Sequence, residues 1–145
     1  MAIWFSGVPL DVLNERGAQC VNGNLGIELL EAGEDYLKGR MPVDARTRQP
    51  AGVLHGGASV LFAETLASWA AAHVVDPAQF HCVGQEINAN HIRAVAEGWV
   101  YGVAKPVHIG RSSQVWEVRI SNEAGKLVCI SRVTMAVLAA PNRYY

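Results

Sequence analysis

Residues 53–75 read VLHGGASVLFAETLASWAAAHVV, with a single Asp, Glu, Lys or Arg among them, Glu64, near the middle. A run this apolar belongs either in a bilayer or inside a folded domain. Its 23 residues are enough to span a membrane. Against a span, Glu64 would sit at mid-bilayer, the run leans on Ala, Gly and Ser, and no Lys or Arg cluster flanks it. The run is therefore predicted as an enclosed helix. Gly56 and Gly57 suit a helix start better than an interior, Ala58 to His73 is rich in Ala and Leu, and Asp76-Pro77 ends it. A helix apolar on all sides needs cover on all sides.

The flanking sequence reads as that cover. PLDVLNERG, residues 9–17, predicts a short helix entered through Pro9 and stopped by Gly17. LGIELLEAGEDYLKGRMPVD predicts two strands about a turn at Ala32–Asp35. In the second, Leu37, Gly39, Met41 and Val43 alternate with Tyr36, Lys38 and Arg40. Residues 45–54 form a polar loop. Four more strands are predicted near 81–94, 98–108, 113–121 and 126–138, the last pair joined by a hairpin turn at Asn122–Gly125. Gln114, Trp116, Val118 and Ile120 share one face, and Val115, Glu117 and Arg119 the other. The last strand is apolar at nearly every position and is predicted to be central. The pattern is α+β, one antiparallel sheet wrapped around one long central helix, in a single domain over residues 1–145. Open sheet edges point to extension by a second subunit. The terminal LAAPNRYY has no assignment.

Composition narrows the partners. Half the residues are hydrophobic, 17% are charged, and the net charge is −1 with no basic block, so neither nucleic acid nor an anionic membrane is expected as a partner. Cys20, Cys82 and Cys129 are odd in number and contain no CxxC, which predicts free thiols in a reducing compartment. The N-terminus has no basic n-region or long apolar h-region, so a cytoplasmic location is expected. The histidine spacing matches no metal motif, and neither metal nor cofactor is expected.

The candidate chemistry starts at Glu64. It is either a structural carboxylate or a reactive one, and no Lys or Arg between residues 48 and 92 stands ready to pair with it locally. A carboxylate stripped of water and without a cation is poised as base or nucleophile. Thr65 and Ser68 are its helical neighbours with hydroxyls. Ahead of it, LHGG places glycines where the first N–H groups of a helix lack internal partners, which is either a plain helix start or an oxyanion hole. Gly56 and Glu64 are eight residues apart, ~12 Å along a helix. One carbonyl group cannot meet both in one helix, so a site using both predicts an obligate dimer with composite sites. His55, His91 and His108 lie near glycines or polar strand positions, whereas His73 and His81 read as surface or structural. INANHIR (87–93) puts Asn88, Asn90 and Ile92 on one face and Ala89, His91 and Arg93 on the other. KPVHIGRSS (105–113) adds Lys105, Arg111 and two hydroxyls around Gly110. Each is a solvated hairpin or, jointly, a cradle for a phosphorylated ligand.

MPVDARTRQPAGVLHGGASVLFAETLAS, VGQEINANHIR and KPVHIGRSSQVWEVRI together resemble the hotdog-fold acyl-CoA thioesterases, over about residues 8–138. The similarity is to the aromatic-acyl and phenylacetate-pathway branch, nearest to its 1,4-dihydroxy-2-naphthoyl-CoA hydrolases and enterobactin-proofreading thioesterases. The resemblance implies a six-stranded sheet around a central helix, paired into dimers and usually tetramers. It implies Glu64 as nucleophile or general base and Gly56 as the partner subunit's oxyanion donor. Gln49 and His55 would orient the thioester, and Ser68 would assist the water or acyl group. Gly84, the stretch His91, Ile92, Arg93 and Ala94, and the stretch His108, Ile109, Gly110, Arg111, Ser112 and Ser113 would line coenzyme A. The implied substrate is an aryl- or medium-chain acyl-CoA, with an acyl carrier protein as the other thioester carrier. Trp69 departs from the smaller or flexible residue of that family and leaves the acyl group open. A hotdog hydratase or dehydratase needs an acid and a His together, and no helical His lies within a turn of Glu64. A non-catalytic acyl-CoA-binding protein is the third reading.

Overall fold

The computed structural model describes residues 1–139 and has the hotdog arrangement. Helix α1 (Leu10–Ala18) and one turn, α2 (Val21–Asn24), precede strands β1 (Glu28–Ala32) and β2 (Leu37–Pro42). Helix α3 (Gly56–Val74) follows, and then β3 (Phe80–His91), β4 (Trp99–Ile109), β5 (Ser113–Asn122) and β6 (Leu127–Ala139). The strands form one six-stranded sheet in the order β1-β2-β4-β5-β6-β3, antiparallel at every pairing.

Alternation along β5 does what the sequence predicts, with Gln114, Trp116, Val118 and Ile120 all buried. The β5–β6 turn is held by Asn122, whose Oδ1 accepts the N–H groups of Ala124 (3.1 Å) and Lys126 (2.9 Å), while Gly125 takes a φ of 75°.

The helix seats on the sheet through a glycine pair. Gly39 of β2 and Gly102 of β4 are direct cross-strand partners. A Cβ on Gly102 would stand 2.6 Å from Leu66 Cδ1 and 3.0 Å from the Phe62 ring, and one on Gly39 2.9 Å from Leu66 Cδ2. The pair leaves a hollow into which the two large side chains of α3 descend, both fully buried. Further along, Ala63, Ala67, Ala70 and Ala71 let the helix lie close to the sheet. The Ala71 carbonyl accepts from Cys82 Sγ (3.4 Å) and Gln114 Nε2 (3.5 Å), and Gln114 Oε1 accepts from Trp116 Nε1 (2.8 Å).

Four expectations change. The turn of helix α2 was not foreseen, because Asn22-Gly23-Asn24 reads as a loop. Strand β3 ends at His91, so Ile92, Arg93 and Ala94 follow the strand instead of alternating along it. Strand β6 is interior but lies one place from the edge, which belongs to β3. In the single chain α3 is covered on one side only, so Val60, Leu61, Glu64, Thr65, Ser68 and Trp69 are partly exposed. Of the unassigned LAAPNRYY, Leu138 and Ala139 complete β6, and residues 140–145 lie outside the described residues. No helix among the described residues is long and apolar enough to cross a membrane.

Two outcomes are expected. Gly102→Ala forces a Cβ into Leu66 and Phe62 and lowers stability by about 1–3 kcal/mol, measured by denaturant unfolding. Burial pushes the Cys82 thiol up to about 11 and raises that of Cys129, whereas Cys20 is exposed. A thiol reagent should therefore titrate Cys20 alone in the native protein, and all three cysteines after denaturation.

Candidate active site

The loop before α3 is built around Thr47, which is buried and donates its hydroxyl to the Pro42 carbonyl at 2.7 Å. The His55 N–H donates to the Thr47 carbonyl (2.8 Å) and the Leu54 N–H to the Val95 carbonyl (2.7 Å). These bonds fix the entry into the helix. Gln49 is half-buried in the same loop, and its Oε1 accepts the Ala51 N–H at 2.7 Å.

His55 is the N-cap of α3, and its Nδ1 accepts the Gly57 N–H at 2.8 Å. That bond requires Nδ1 to be the ring nitrogen without a proton. The cap occupies Gly57, and among the described residues nothing accepts the N–H of Gly56. The His91 ring explains the glycine there, since a Cβ on Gly56 would meet its Nε2 at 2.9 Å. Gly56 opens on a cleft of about 320 Å³ lined by Val53, Leu54, His91, Ile92, Arg93 and Ala94, among others. An open amide at the positive end of a helix, in a cleft with Arg93, suits a polarised carbonyl oxygen or an anion.

Glu64 occupies a different cleft. It lines about 310 Å³ with Cys20, Asn22, Leu61, Thr65, Ser68 and Trp69. Cys20 and Asn22 come from the α1–α2 elbow, and the Thr65 hydroxyl, bonded to the Leu61 carbonyl at 2.8 Å, reaches Asn22 Oδ1 at 3.5 Å. Glu64 is partly exposed where an enclosed carboxylate was expected, because it stands at the border between the covered and the open side of α3, its carboxylate against Gly84 of the edge strand β3. Ser68, one turn on, lines the same cleft. Cys20 and Asn22 were missed. Their only sequence signal is Gly17, against which the Asn22 side chain packs, 3.3 Å from where a Cβ would stand.

The remaining expected residues divide between two ends of the sheet. His91 pairs with Cys129, whereas Ser113 and Val83 both pair with Ala136. The His108–Ser113 hairpin is thus level with Gly84, seven residues or about 23 Å along β3 from His91. Within one chain the two parts of the expected coenzyme A cradle do not meet. In the hairpin, His108 folds over Gly110, whose N–H donates to the Ser113 carbonyl at 2.8 Å, and Ile109, Arg111 and Ser112 are exposed. Lys105 is engaged elsewhere, its Nζ 3.7 Å from Asp35 Oδ1. Gly84 lies against the Glu64 carboxylate. Among the described residues no group of three or more His, Cys, Asp and Glu is placed to hold a metal ion.

Comparison with known proteins gives this geometry its setting. Residues 51–129, from the loop before α3 to β6, match the family model described as thioesterase superfamily. The 1,4-dihydroxy-2-naphthoyl-CoA hydrolase of Escherichia coli is 46% identical over 136 residues, 94% of this chain and 99% of that one. A proofreading thioesterase of Cronobacter turicensis is likewise 46% identical, over 94% of this chain and 98% of its own. The crystal structure of a mutant thioesterase from Pseudomonas aeruginosa superposes with a TM-score of 0.94 at 43% identity, covering 96% of this chain and 100% of that one. With the fold, the family match and full-length relatives in agreement, the chain belongs to the thioesterase superfamily and is a thioester hydrolase.

Proposed function

We propose that the thioester is an acyl-CoA with an aryl or medium-chain acyl group, hydrolysed to the free acid and coenzyme A in sites shared between two chains. The observation that carries this is the separation of Glu64 and Gly56 into two clefts on one helix. Hydrolysis needs an attacking or activating group and an oxyanion donor at one carbonyl, and a second chain laid alongside supplies the missing half. Strand β3 is one of the sheet's two edges, the other being β1, and is the one open for that pairing beside α3, with Val83 exposed on it and Ile92 just beyond its end. The same pairing would bring His91–Ala94 of one chain toward a second chain's hairpin. The proposal includes a dimer or tetramer, argued from the open β3 edge, and a cytoplasmic location, with which three cysteines outside any disulfide agree.

In this reading the Gly56 N–H takes the carbonyl oxygen, with Gln49 and His55 orienting the thioester. Glu64 either attacks the carbonyl carbon or removes a proton from the attacking water, and Ser68 assists the water. When water attacks, the tetrahedral intermediate collapses with loss of the thiolate and leaves the acid. When Glu64 attacks, loss of the thiolate leaves a mixed anhydride on Glu64, which water then hydrolyses to the acid and the free carboxylate. A carrier-protein thioester is the second reading, kept open because the chain is as similar to a proofreading thioesterase as to a CoA-thioester hydrolase, 46% in each case. A thiol-release screen of benzoyl, naphthoyl, phenylacetyl and aliphatic acyl-CoA against acyl carrier protein separates the two.

Glu64→Ala should lower kcat by roughly a hundred- to ten-thousand-fold and leave folding intact. Wild-type turnover in that variant refutes the mechanism. Coexpressed Glu64→Ala and Gly56→Ala chains should regain activity that neither has alone, because a mixed dimer holds one complete site. Trp69 lines the Glu64 cleft and also a neighbouring one of about 270 Å³ walled by Val12, Leu13 and Phe80. Trp69→Ala should join the two and raise kcat/KM for dodecanoyl-CoA relative to benzoyl-CoA on the order of tenfold. An unchanged ratio refutes Trp69 as the limit on acyl length.

A further inference from the structure

Gly84 has no backbone reason to be glycine. It is in the interior of β3, its φ is not among the positive ones, and a glycine there weakens a strand. The space where a Cβ would stand is taken by one group only. Apart from the two residues that flank it in the chain, Oε1 of Glu64 at 2.5 Å and its Cδ at 3.6 Å are the described atoms within 4 Å of that point. The β3–β6 pairing also shifts here. Gly84 faces Met135 and Glu86 faces Thr134, which leaves Gln85 without an opposite number. An extra residue of this kind bends a strand and re-aims its neighbours.

We infer that Gly84 is a positioning residue for Glu64, the bare backbone of the bulged edge strand serving as the surface against which the carboxylate rests. This rests on the catalytic reading of Glu64. The carboxylate is the tip of a flexible side chain springing from the border of the open side of α3, and β3 is the element that limits where that tip can go. An alanine at 84 would not disturb the core, because only the carboxylate stands in its way. Relief to an ordinary 3.4 Å contact moves Oε1 by about 1 Å, a displacement that costs on the order of a hundredfold in rate at a reacting centre. The fold tolerates the change and the chemistry does not. Gly84 would thus act on the chemistry through Glu64, whatever its backbone offers the thioester carrier.

The test is a double-mutant cycle on benzoyl-CoA with the wild type, Gly84→Ala, Glu64→Asp and the double variant, each assayed for kcat, KM and thermal melting. Gly84→Ala should lower kcat roughly ten- to a hundredfold, with KM within about twofold and melting as in the wild type. In the Glu64→Asp background the same glycine change should cost little, because the shorter carboxylate has withdrawn from the new Cβ. Losses that multiply across the cycle, or a loss expressed in KM, overturn the inference even if Gly84→Ala is inactive, since a folding or assembly defect would persist in both backgrounds. A wild-type kcat in Glu64→Asp overturns the reading of Glu64, and this inference with it.

Discussion

Phe62 and Leu66 settle into the hollow over Gly39 and Gly102, and the orientation of the central helix follows from that contact. Burying two such side chains contributes about 1.5–3 kcal/mol each. A helix apolar all round has no preferred face of its own, so its rotation is set by where its largest groups find room. The glycine pair offers room at one place. The Ala71 carbonyl, held by Cys82 and Gln114, fixes the other end of the helix. Between these two points α3 cannot roll.

With the roll fixed, the candidate residues of α3 are placed. Positions 62, 63, 66, 67, 70 and 71 face the sheet, positions 61, 65, 68 and 69 lie on the open side, and 64 stands at the border, its carboxylate against Gly84 of β3. Glu64, Thr65, Ser68 and Trp69 line one cleft closed by the α1–α2 elbow. The N-terminus of the helix, capped by His55, belongs to another. The separation of the two clefts, from which the proposed second chain is argued, is thus a consequence of helix geometry and not of any loop conformation.

Much of this was legible beforehand, for identifiable reasons. Strands advertise themselves by alternation, as at Gln114, Trp116, Val118 and Ile120, and the Asn122–Gly125 turn by its side-chain and φ requirements. The length of α3 and its glycine start were equally plain. What could not be read was which side of α3 the sheet would cover, because nearly every position is apolar, so the exposure of Glu64 came out differently. Pairing across strands was invisible as well. Nothing in the spacing of Gly39 and Gly102 says that they are neighbours, or that Gln85 is extra and Gly84 meets Glu64. The α1–α2 elbow was hidden because Asn-Gly-Asn is ordinary turn chemistry. Gln114, a polar residue on a buried face, fits only because Trp116 and Ala71 partner it.

The division of labour around α3 bears on how such a chain can change over time. One set of helix positions is buried against the sheet and the other lines the cleft. A substitution at 61, 65 or 69 alters the walls of that cleft while Phe62 and Leu66 keep their seat on the sheet. Separate bearing and working surfaces on a single helix let new substrates be tried without first solving the packing problem again.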